Sequence, residues 1–151
     1  MVAGNMMFSD SGDDIIEDAS MFSNGTDPAT SLDLSANGTA SSLVACTWFV
    51  ESDITIDSVR VIATCNSSHA LNFHLYSYAL DTTSAHGDLS DGILLAHIAS
   101  SMSLTATTMK TNRLTIDSAD VDDNRVIYAF VENEGGTGDI TCQLTVKYHL
   151  R

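Results

Sequence analysis

Basic residues are scarce in this chain. Six Lys and Arg stand against twenty Asp and Glu, for a formal net charge of −14. A surface of that sign repels phosphate backbones, which argues against direct nucleic-acid binding. An anionic membrane surface is disfavoured for the same reason. Basic partner surfaces and cations are attracted, and many copies stay soluble together. Charged residues of both signs make up only 17% of the chain, so the side chains that suit helix surfaces are few.

Cysteine is also sparse. Cys46, Cys65 and Cys142 are odd in number and lack metal-type spacing. They read as small reduced core residues rather than a disulfide frame or a zinc site. No apolar run approaches the roughly 18–20 residues of a membrane helix. Met1 to Phe8 has neither the basic region nor the apolar core of an export signal, so synthesis and folding in a cytoplasm are expected. The sequons at Asn24, Asn37 and Asn66 are then silent.

Catalytic signatures are missing as well. There is no Gly-x-Ser-x-Gly, and His69, His74, His86, His97 and His149 fit no two-histidine helical metal pattern. His97 falls inside an apolar strand and reads as a hydrogen-bonded core residue. Gly135-Gly136-Thr137-Gly138 lacks the Lys and the helix of a phosphate loop. Neither an enzyme nor a cofactor is expected.

What is present divides in two. Residues 1–42 carry Asp10, Asp13, Asp14, Glu17, Asp18, Asp27 and Asp33 but no Lys or Arg. This segment reads as an acidic, mostly irregular, extended arm. Its apolar island places Ile15, Ala19 and Phe22 on one face of a short helix near 13–22, with Ile16 beside them. A helix so short orders only by docking. Leu32-Asp33-Leu34 reads as a brief extended piece. Ile15, Ile16, Phe22, Leu32 and Leu34 are therefore the candidate partner-binding residues.

Residues 43–151 change character to short runs of strand formers between turns. Ile54 and Ile56 fall in one alternation phase and Val59 and Val61 in the other, which predicts a bulge near Asp57-Ser58. Val126 to Val131 is apolar on both faces, and Ile140, Cys142, Leu144, Val146, Tyr148 and Leu150 alternate inward. Asp81 to Gly92 reads as a surface loop. The whole predicts an all-β, antiparallel sandwich of seven to eight strands, jelly-roll-like in preference to immunoglobulin-like.

Two clusters are candidate sites. Asp120, Asp122 and Asn124 alternate like the start of a calcium loop, but Arg125 and Val131 stand where that loop needs Gly and Glu. They are a weak calcium candidate against a solvated turn. His74, Tyr76 and Tyr78 share one face of a strand, which reads as an interface, an arm-covered face or a sugar platform.

The run Thr47-Trp48-Phe49-Val50 leading into Ile54 to Val61, and Val126 to Asn133 followed by Gly138 to His149, resemble the virion β-sandwich proteins of tailed bacteriophages. The resemblance covers about residues 43–151 and lies in texture rather than in an invariant motif. It implies a capsid decoration (cement) protein or a spike or fibre module, without catalytic residues. It further implies a homotrimer on the capsid surface, with a major capsid or other virion protein as partner and the virion as location. The competing expectation is a carbohydrate-binding module using Trp48, Tyr76 and Tyr78 as stacking platforms.

Overall fold

The computed structural model describes residues 2–10, 22–23, 27–28, 32–33, 47–80, 88–135 and 140–151, with side chains described in 48–80, 89–131 and 140–151. In chain order the strands are β1 (Val2–Asp10), β2 (Phe22–Ser23), β3 (Asp27–Pro28), β4 (Leu32–Asp33), β5 (Thr47–Val50), β6 (Ile54–Cys65) and β7 (His69–Leu80). There follow β8 (Asp88–His97), β9 (Met102–Leu104), β10 (Met109–Arg113), β11 (Thr115–Ile116), β12 (Asp120–Val121), β13 (Arg125–Gly135) and β14 (Ile140–Leu150). From Thr47 onward, eight of these strands have three residues or more, as the strand count from sequence anticipates.

All pairings are antiparallel, and the strands form two main sheets. The first runs β1-β14-β6-β10, with β12 also on β6; the second runs β11-β8-β7-β13-β5, with β4 on β8 and β9 on β7. The sandwich is a nested ribbon. β6 and β7 are consecutive but lie in different sheets, as do β13 and β14, and β6 pairs with β14 while β7 pairs with β13. This is the inner wrapping of a jelly roll. β8 then returns beside β7 in the same sheet.

Alternation fills the space between the sheets. Val59, Val61, Ala63, Leu144 and Val146 of the first sheet and Phe73, Leu75, Ile127 and Ala129 of the second are all buried. Burial of such side chains contributes about 1.5–3 kcal/mol each. Cys65 and Cys142 are buried in this core.

The expected bulge is present. Lys147 pairs with Ser58 and Tyr148 with Ile56, so Asp57 is an extra residue on β6. It brings Ile54 and Ile56 onto the core side with Val59 and Val61, all four buried. The inward set of β14 ends earlier than its alternation suggests. Ile140 to Val146 follow the pattern, but Tyr148 is half-buried and Leu150 is 64% exposed. Tyr148, opposite Ile56, still packs against the core, and Leu150 lies at the end of the pairing. Elements also start earlier than composition suggests, since β8 begins at Asp88 within the predicted Asp81–Gly92 loop. Residues 81–87 of that loop lie outside the described residues.

Arg125 binds the second sheet crosswise. Its Nε donates to Ser77 Oγ at 3.0 Å, and its Nη2 donates to the carbonyls of Ser77 and Asp91. Partial burial pulls its pKa below the ordinary value, against the pull of nearby Asp91 and Asp122.

Deleting Asp57 is expected to turn Ile54 and Ile56 out of the core, at about 1.5–3 kcal/mol for each side chain exposed. A lowered urea midpoint reads this loss; an unchanged midpoint would show that the bulge is not what sets their face.

Candidate functional site

In paired strands, directly opposed residues share a face. Trp48 opposes Ile127, and its ring lies 4.6 Å from that of Tyr148 in the first sheet. The Ile127 side of the second sheet therefore looks inward. Tyr128, opposed to Tyr76, and Phe130, opposed to His74, look away with Tyr78.

That outer face is not open to solvent. His74 is 3% exposed, Tyr76 6% and Tyr78 0%. Tyr76 and Tyr78 stack at 5.8 Å, and both meet Phe130 edge-on at 6.1 and 6.3 Å. Tyr78 also meets Tyr128 edge-on at 5.9 Å. A ring enclosed in this way presents no face to a sugar, so the outward stripe read from alternation is an interior layer. β3 of the short β2–β3 pair approaches β7. Burial raises the Tyr78 phenol far above its ordinary value, helped by Tyr76 and Tyr128, and raises Tyr128 by the same cause.

The candidate arm residues are only partly placed. Phe22 pairs with Pro28, and Leu32 with Leu89 at the edge of the second sheet, through their backbones. Ile15, Ile16 and Leu34, and most of the helix predicted near 13–22, lie outside the described residues. Phe22, its last residue, is in strand β2. A strand that composition does not signal appears at Val2–Asp10. It pairs with β14 in continuous register from Val2 opposite Tyr148 to Asp10 opposite Ile140.

The acidic turn has a resident cation, and it is a side chain. Arg151 Nη2 lies 2.6 Å from Asp122 Oδ1 and 3.9 Å from Asp53, and its Nη1 lies 3.7 Å from Asp120. The hydrogen bond that Arg151 donates to Asp122 holds the guanidinium pKa above its ordinary value. Thr55 donates to Asp120 at 2.7 Å, and the Asp123 amide donates to Asp53 at 2.9 Å. Asn124 takes a positive φ of 59°, and its amide donates to the Val50 carbonyl. Of the three calcium-candidate residues, Asp120 and Asp122 face the Arg151 guanidinium, while Asn124 turns the chain through its backbone. His97, expected in the core, is half-buried and bonded to Asp117 at 2.7 Å.

The described surface carries a groove of about 460 Å³ of mixed polarity, lined by Trp48, Phe49, Glu51, Ile54, Tyr148 and Leu150 among others. It lies beside β5, an edge strand, with Phe49 43% exposed. Strand edges with exposed apolar side chains are ready surfaces for an added chain. Sequence pointed to Trp48 but not to its partner, because Tyr148 and Leu150 alternate as core residues.

No protein-family model matches this chain, and no curated protein does. Among solved structures it is similar to a chain in the structure of infectious bursal disease virus Gx strain, with 12% identity and a TM-score of 0.33. The alignment covers 95% of this chain and 32% of that one, so this chain spans about a third of its length.

Two outcomes follow from these contacts. The folded state favours protonated phenols at Tyr78 and Tyr128. The stability this gives is complete below the ordinary phenol pKa of 10.0 and is lost as pH rises past it. The slope approaches about 1.4 kcal/mol per pH unit for each such tyrosine. Phenolate absorbance from both should appear together with loss of the sandwich's circular dichroism; ionisation in the intact fold would contradict the burial. Arg151→Gln leaves Asp53, Asp120 and Asp122 without their guanidinium. Its Tm should fall at low salt and converge on the parent value near 1 M salt, where screening acts over about 3 Å. A salt-independent gap would mean that packing, not charge, is what Arg151 supplies.

Proposed function

We propose that the protein is a structural virion component of the tailed-bacteriophage kind, a capsid decoration (cement) protein that binds the assembled shell through residues 1–42 and through self-association. The observation that carries this reading is the nine-residue pairing of β1 with β14. A strand supplied from outside the sandwich domain completes the edge of its first sheet. Such pairing is made by main-chain groups and is met equally well by a chain's own segment or a neighbour's. Unfilled, the edge would be a row of unpaired donors and acceptors. A closed ring, a trimer in this reading, lets every copy give one arm and receive one.

The role is non-enzymatic and needs no cofactor; the partner is a major capsid or other virion protein. The acidic surface keeps copies apart before assembly. The resemblance of residues 43–151 to virion sandwich proteins supports the same reading. A second reading is a carbohydrate-binding module of a spike or fibre. It is favoured by the Trp48–Tyr148 pair at an open groove.

Removing residues 1–42 should abolish binding to particles while the remaining domain still unfolds cooperatively; retained binding would overturn the arm's role. Ser9 and Thr141 are opposed in register. With both changed to Cys, assembled particles should yield disulfide-linked oligomers. A disulfide formed only within single chains would count against exchange of arms.

A further inference from the structure

Three of the chain's six Lys and Arg residues meet on the outward face of the first sheet. Arg60, Arg113 and Lys147, with Ser58 and Thr145, line a shallow pocket of about 160 Å³. The register explains the meeting. Arg113 of β10 and Thr145 of β14 both oppose Arg60 of β6, and Lys147 opposes Ser58. All three cations are exposed.

Like charges directly opposed across a sheet destabilise it. The chain has twenty acids, and the other three cations all have acceptors. Arg151 sits among three carboxylates, Arg125 bonds the Ser77 hydroxyl and the Ser77 and Asp91 backbone carbonyls, and Lys110 donates to the Ser103 carbonyl. Among the described residues, the ion pairs involve none of Arg60, Arg113 and Lys147. Asp57, next to Ser58 in the chain, is bonded to His149 Nδ1 at 2.9 Å. Among the described residues, the sheet thus carries a local repulsion between Arg60 and Arg113 that no ion pair offsets.

We propose that this pocket binds a tetrahedral oxyanion borne as an ester on a small molecule or sugar, either a phosphate monoester with nearly two negative charges or a sulfate monoester with a single one. Two guanidinium forks offer parallel N–H donors to its oxygens, the Lys147 ammonium adds a point charge, and the Ser58 hydroxyl adds a neutral donor. One such group cancels the Arg60–Arg113 repulsion. A nucleic-acid strand, whose charge extends well beyond the pocket, meets the acidic remainder of the surface instead.

Thermal unfolding of the full chain at low ionic strength, with inorganic phosphate or inorganic sulfate as probe, tests the site. A ligand that binds only the folded state raises Tm saturably. The rise should need at least tenfold more anion in Arg60→Gln and in Arg113→Gln, and should be unchanged in Lys110→Gln. Arg113→Gln without anion should unfold no earlier than the parent, because a repulsion has been removed. The stronger of the two probes identifies the ester. Both anions also stabilise proteins by exclusion from their surfaces. A rise that survives both arginine substitutions, a rise matched by chloride at equal ionic strength, or no rise at all would overturn the proposal.

Discussion

The pairing of β6 with β14 holds the rest of the molecule in place. It joins Ile54–Cys65 to Ile140–Leu150, which lie far apart in the chain, and every other strand of the first sheet is added to one of these two. With β7 on β13 it makes the nested frame that closes two sheets on one core. Little of this frame is local, so the chain must close long loops before its main contacts form, the condition under which β proteins fold slowly. The Asp57 bulge sits inside this pairing. It sets which side chains of β6 reach the core and keeps Tyr148 of β14 opposite the buried Ile56.

The second sheet differs from the usual half-wet antiparallel sheet. At its centre, in residues 73–78 of β7 and 126–131 of β13, both faces are buried, and the outer one is a layer of Tyr76, Tyr78, Tyr128 and Phe130. Such a layer contributes burial and ring contacts together. β3 lies near β7, while β1 and β4 extend the edges of the two sheets. The N-terminal segment is thus joined to the sandwich through backbone pairing, which asks little of particular side chains. That tolerance is what makes exchange between copies physically inexpensive in the proposed role.

Charge is distributed by sign rather than blended. Acids near the β5–β6 turn converge on Arg151, while Arg60, Arg113 and Lys147 are left together on the opposite kind of surface, a row of sheet residues without a carboxylate. The net charge of −14 describes the far field that a large partner feels. The basic pocket describes what one small anion would meet at contact. The two statements concern different distances and are compatible.

Much of the architecture was legible in the residues. Alternation in Phe73 to Ser77, the two-faced apolar run of Val126 to Val131 and the phase change at Asp57 all follow from a side-chain period of two, which is a local property of the strand. The sites were less legible. Alternation places Tyr76 and Tyr78 on the face opposite Phe73, but cannot say whether that face meets water, because its cover comes from elsewhere in the chain. Nor can it show that Arg60 opposes Arg113, or that Arg151 enters the turn at Asp120, since register between distant strands is a tertiary fact. The sequence by itself determined the strands and their faces, through local periodicity. Only the tertiary structure decided which faces are covered and which charges meet, because those depend on residues brought together across the length of the chain.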